Sequence, residues 1–212
     1  MNTDPVAFVR EDFVRLFNVG VAQYKERGEG GDDKAKARYE DIAAARGAVQ
    51  IVLEGDGGGA LWLAIADGAI ALVDEAPADL PSRFAIAAPV DAARAGLEQL
   101  EEHFDEDKAG RRFARSASAE IEKVLEGNQL LFNVTFKDIP SDPDEVTLRI
   151  AIGSTQPPAE PTFSVAISWD DIEDVRDGEL TPQQLLGRLK ISGDATQAMA
   201  LGMTLMQRRQ QR

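Results

Sequence analysis

The chain has 212 residues, 43% hydrophobic and 28% charged, which is ordinary for a folded globular protein of one large domain or two small ones. It carries 37 acidic against 23 basic residues, and the resulting formal charge of −14 repels phosphate backbones and so argues against nucleic acid as a partner. With no cysteine, disulfides, thiolate metal sites and cysteine nucleophiles are excluded.

The N-terminal MNTDPVAFVRED lacks the basic flank and apolar run of a signal peptide. No later stretch approaches the ~18 apolar residues of a membrane span. A cytoplasmic protein is the expectation.

From Pro5 to about Tyr24, Val6, Val9, Phe13, Leu16, Phe17 and Val21 recur at three- and four-residue steps, the spacing of one helical face. The glycine- and charge-rich ERGEGGDDKAK that follows reads as a flexible loop before a second helix near Tyr39 to Ala45. The period then changes to two. Val49, Ile51 and Leu53 alternate, and beyond the GDGGG loop Leu61, Leu63 and Ile65 alternate again, a hairpin pattern.

Asp67-Gly68 predicts a tight turn into a third strand over Ala69 to Val73, and Arg83 to Ala87 makes a fourth. Pro89 ends that strand and Asp91 caps a helix to about Glu102. From Lys108 to Glu126 one further helix is expected, with Phe113, Ala117, Ile121, Val124 and Leu125 on its apolar face and Gly127-Asn128 as its stop.

The second half then follows the order of the first. Phe132, Val134 and Phe136 mirror Val49, Ile51 and Leu53 at an offset of 83. Val146, Leu148 and Ile150 mirror Leu61, Leu63 and Ile65 at 85, and Phe163 and Val165 mirror Phe84 and Ile86 at 79. An incomplete internal duplication is expected, because the second half alone has a closing segment. In that segment Thr181 caps a short helix begun by Pro182, with Leu185 and Leu186 facing inward. Gly187 ends it, a strand with Leu189 and Ile191 on one face follows, and Gly193 turns the chain into a last helix.

Gly178, Leu180 and Pro182, the run GRLKISG from Gly187 to Gly193, and Ala198, Met199 and Leu201 resemble the C-terminal signature of the sterol carrier protein type 2 family. The strand-then-helix run FSVAISWDDIEDVRDG upstream is similar as well, so the resemblance covers Leu130 to Met206 and, more weakly, Glu120 to Leu125. It implies an α/β (α+β) fold, a mainly antiparallel sheet covered by helices, with an apolar cavity between the layers.

The chain would then divide into residues 1–106, a degenerate sterol-carrier-like repeat with leading helices, and residues 107–212, a lipid-binding domain. There are two departures from the family. Only four residues separate Pro182 from Gly187, implying a shortened lid helix, and the chain ends in Gln211-Arg212 instead of a peroxisomal signal.

The residues expected around a ligand follow from that layering. Phe132, Val134, Phe136, Leu148, Ile150, Phe163, Val165 and Ile167 share one sheet face, with Trp169 at its end and Leu189 on the closing strand. Ile172, Val175, Leu185, Leu186, Met199, Met203 and Met206 belong to the covering helices, and the methionines adapt to a variable guest.

The expected role is non-enzymatic carriage of a sterol-like, fatty acyl or polycyclic lipid, with no cofactor or metal. The alternative is an accessory or oligomerising subunit, in a homodimer or with a lipid- or steroid-metabolising enzyme, whose apolar surface a protein fills.

Catalytic readings are weaker. His103, the single histidine, sits among acids with no G-x-S-x-G nucleophile pattern in the chain. GDGGG is followed by a strand where a phosphate loop needs a helix, and DIPSDPDE lacks the central glycine of a calcium loop. Asp170, Asp171, Glu173 and Asp174 suit the N-terminal end of a helix dipole without any ion.

Overall fold

In a computed structural model, residues 2–101, 104–140 and 143–210 are described, less the side chains of 182 and 205–210. His103 therefore lies outside the described residues, as do Glu102, part of DIPSDPDE, the Met206 side chain and the terminal Gln211-Arg212.

The opening helix is nearly continuous: α1 (Pro5–Ala7) leads through a π-helical stretch (Phe8–Phe13) into α2 (Val14–Glu29). The expected flexible loop after it is only a tight turn. Gly31 takes φ +96°, the Asp32 carboxylate accepts from the Ala35 amide at 3.0 Å, and Arg27 pairs with Asp32 at 2.6 Å. That cap starts α3 (Asp33–Ala43) well before the predicted boundary, since charged residues are good helix formers once the first turn is capped.

The strands β1 (Gly47–Glu54), β2 (Gly59–Ala66), β3 (Ala69–Val73) and β4 (Ser82–Pro89) fall where alternation places them. Asp67 and Gly68 both have positive φ, 52° and 75°, the backbone that a two-residue hairpin of matching twist requires. Helix α4 (Val90–Glu101) follows β4 directly, so Asp91 lies in its first turn and does not precede it.

The single helix expected over Lys108 to Glu126 is two: α5 (Glu106–Ala114) and α6 (Ala119–Leu125). Ser118 breaks the run by taking extended backbone and capping α6 with its hydroxyl, which competes with helix continuation. Then come β5 (Leu130–Lys137), β6 (Val146–Ile152), β7 (Phe163–Ser168), α7 (Trp169–Asp177), α8 (Pro182–Arg188), β8 (Lys190–Gly193) and α9 (Thr196–Gln210). Thr181 and Gln184 form a full capping box on α8.

All eight strands join one sheet, ordered β3-β2-β1-β4-β6-β5-β7-β8. It is mostly antiparallel, with parallel pairs at β1/β4 and β5/β7. Each half contains a hairpin followed by a strand parallel to the hairpin's first arm: Val49 sits opposite Phe84 as Phe132 sits opposite Phe163. The hairpin registers differ by two residues, Val49 facing Leu63 but Phe132 facing Ile150, and an even slip leaves the same side chains on the same face.

Register places Val49, Ile51, Leu61, Leu63, Ile65, Phe84, Ile86, Ile150 and Ile152 on one face with Phe132, Val134, Phe163 and Val165. The first-half part of this face forms the main core with Phe8, Phe17, Val21 and Ile42. Phe17, Leu16, Ile42 and Leu63 are wholly buried. Each such side chain contributes about 1.5–3 kcal/mol relative to exposure. Among the described residues no helix is long and apolar enough to cross a membrane.

Candidate ligand-binding site

Between the sheet and its helices lies a cavity of about 970 Å³. Its floor runs from β2 across β1 and β4 to β6 through Leu63, Ile65, Val49, Ile51, Phe84, Ile86 and Ile152; Phe13, Phe113, Ala117, Ile121 and Leu125 wall it. Period-two alternation puts the large side chains of these strands inward, and the register aligns them into one apolar strip.

The cavity's edge is held by an ion pair. A register shift at Ala48/Val49 leaves Arg83 as the extra residue of β4, and its side chain lies across Gly47, where an added Cβ would come within 1.9 Å of the Arg83 Cγ. The guanidinium meets the Glu122 carboxylate of α6 at 2.5 Å and its Nε donates to the Arg46 carbonyl. Glu122 also accepts from the Arg46 amide at 3.2 Å. Desolvation pushes the Glu122 carboxyl above the usual carboxylate range in spite of the arginine, and desolvation likewise lowers the Arg83 guanidinium.

Helix α6 is also pinned to α3. The Asp41 carboxylate accepts from the Ser118 hydroxyl at 2.8 Å and from the Glu120 amide at 3.1 Å. Arg112, Lys123, Glu126, Asn128 and Gln129 complete the polar rim.

A second cavity, about 340 Å³, lies between α4 and the β5-β6 hairpin, with Ala92, Ala95 and Gly96 opposite Phe136, Val146 and Leu148. Trp169 closes its end, and the indole Nε1, buried, makes no hydrogen bond among the described residues.

Of the ligand-facing residues expected from sequence, Phe136, Leu148 and Trp169 line this smaller cavity. Val134, Ile150, Val165 and Ile167 share the same sheet face and are half-buried. Phe163 is buried and stacks on Phe132, ring centroids 4.9 Å apart and planes 8° from parallel. Ile172, Leu185 and Leu189 are half-buried, and so is Val175.

Leu186, Met199 and Met203 do not pack inward. They are 52%, 55% and 60% exposed; on α9, which runs beside α6, it is Ala198, Leu201 and Gly202 that are half-buried. The acids of α7 do more than suit the helix dipole, since Asp171 at 2.6 Å and Asp174 at 3.4 Å hold Arg188 of α8.

Sequence reasoning missed the larger cavity's floor. Val49, Ile51, Leu63, Phe84 and Ile86 alternate as strongly as their second-half counterparts, and the alternation was the available signal.

No curated protein matches the chain. Among solved structures, a double mutant of the sec-alkyl sulfatase PisA1 aligns at 12% identity over 53% of this chain and 24% of that one, with a TM-score of 0.25. The chain thus spans about a quarter of that enzyme, and at this score the two folds are not equated. The model of the SCP-2 sterol transfer family matches residues 97–206, beginning in α4, taking in α5 and α6 and continuing from β5 into α9. That is half of the molecule, with the GRLKISG strand and the helices on either side of it inside the match: the chain belongs to the SCP-2 sterol transfer family.

Proposed function

We propose that the protein binds a hydrophobic small molecule, sterol-like, fatty acyl or polycyclic, and carries it between sites without catalysing a reaction. The observation that carries this reading is the apolar cavity of about 970 Å³ between sheet and helices, at the upper end of the ~300–1,000 Å³ of small-molecule sites. Family membership supports it. Burying roughly 300 Å² of apolar ligand surface there contributes on the order of 7 kcal/mol before ordering costs, which corresponds to micromolar affinity and broad selectivity.

Titration with fluorescent fatty-acid and sterol probes tests the reading. Saturable binding is expected, weakened by Ile121→Trp, which places a bulky ring into the cavity wall from a position 41% exposed. Absence of saturable binding by every probe would overturn it.

A further inference from the structure

We propose that Asn18 closes the β3 edge of the sheet by standing in for a further strand, and so keeps two copies of this chain from joining edge to edge. The sheet ends at β3 and β8, and an end strand turns a row of backbone groups toward the outside. A lysine, a proline or a bulge commonly guards such an edge. β8 contains Lys190, whereas β3 reads AIALV and pairs with β2 without a register shift, so it carries none of these guards.

Its cover comes from a helix. The Asn18 Oδ1 accepts from the Ile70 amide and the Asn18 Nδ2 donates to the Ile70 carbonyl, each at 3.0 Å. In an antiparallel ladder a residue turns its N–H and C=O to the same side, and the side alternates along the strand. Ile70 and Leu72 therefore face the open edge, and Ala69, Ala71 and Val73 face β2. A carboxamide holds a donor and an acceptor as a peptide unit does, so this one side chain makes both bonds that a residue of a neighbouring strand would make.

The residue type argues the same way. Asparagine is a poor helix former because its side chain competes for backbone groups. Asn18 nevertheless lies inside α2, next to the wholly buried Phe17, and spends both polar atoms on a strand 52 residues further on.

A second copy is the partner that the uncovered edge would fit. Laid antiparallel on itself about Ala71, β3 sets Ile70 of each copy opposite Leu72 of the other, so the outward-facing residues pair at once. Ala69 and Ala71 are small and exposed, and no like charges meet across the join.

The experiment opens the edge and closes it again. Wild type, Asn18→Ala, Asn18→Asp and Asn18→Ala/Ala71→Lys are compared by light scattering on a sizing column over a concentration series, with circular dichroism to check folding. Asn18→Ala is expected to rise toward twice the wild-type mass with concentration. Asn18→Asp keeps the acceptor for the Ile70 amide and places a charge at the edge, so it stays at the wild-type mass. Lysine at position 71 returns the alanine variant to that mass. A folded Asn18→Ala that keeps the wild-type mass throughout overturns the proposal, and so does a rise in mass that Ala71→Lys fails to reverse. Amide hydrogen exchange on wild type decides the matter should Asn18→Ala not fold. The Ile70 amide is expected to be protected and the Leu72 amide to exchange fast, and equal rates at the two overturn the proposal.

Discussion

Gly20 and Gly110 let α2 and α5 meet backbone to backbone. A Cβ built on Gly20 would come within 2.0 Å of the Gly110 carbonyl oxygen, and one on Gly110 within 2.9 Å of the Leu16 carbonyl oxygen. Nothing flexible can give way at the first position, so Gly20→Ala is expected to destabilise by at least the ~1–3 kcal/mol of overpacking. Thermal unfolding should show a midpoint lower by about 2–4 °C per kcal/mol.

The Arg83–Glu122 pair makes a different prediction. Because burial raises the Glu122 carboxyl, the folded state holds its proton more tightly than the unfolded chain does. The stabilisation from this group is present at low pH and lost as pH rises through the folded value. The advantage of wild type over Glu122→Gln in thermal midpoint should therefore shrink as pH rises above the ordinary glutamate value of 4.5. Removing one partner strands the other, so Arg83→Met/Glu122→Leu should be at least as stable as Glu122→Gln, read by urea unfolding.

At the scale of elements, Asp41 anchors the N-terminal turn of α6 in the cavity wall and Glu122 anchors its middle. Asp41→Ala removes acceptors for a hydroxyl and an amide. It should cost about 1–2 kcal/mol and weaken probe binding together, measured by thermal unfolding and titration on the same sample.

The strands were legible because alternation is a local signal: β3 falls on its predicted residues, and the Asp67-Gly68 turn is where its dipeptide places it. The division of α5 from α6 was not, because Phe113 to Leu125 keeps a helical spacing throughout and the interruption depends on Ser118 reaching Asp41, 77 residues away. The candidate site was not legible for a related reason: none of the residues expected around a ligand is among those lining the larger cavity. Alternation names the face a residue points to but not which stretch of that face the helices cover tightly. Phe136 and Leu148 line only the smaller cavity, the floor under Phe84 and Ile86 was not expected, and Met199 and Met203 are exposed on α9.

At the scale of the molecule, the two halves meet through β4 and β6, where Phe84 faces Ile152 and Ile86 faces Ile150. Helix α5, which follows α4 in the chain, packs chiefly on α2 of the first half. A sheet continuous through that seam and a helix layer stitched across it should unfold as one unit. Trp62 reports on the first half and Trp169 on the second. The single-tryptophan variants Trp62→Phe and Trp169→Phe are expected to give coincident urea transitions, and separated midpoints would show that the halves unfold independently.

The seam also orders events on the ribosome. The partner of β4 is not β5, the next strand made, but β6, the one after it. While the chain is emerging, β4 therefore presents the edge RFAIAA, apolar apart from one arginine and rich in alanine, with no partner until Ile152 has left the exit tunnel. A nascent chain halted before that point is an aggregation hazard, and synthesis slowed between β4 and β6 should lower soluble yield even though the finished protein is unchanged.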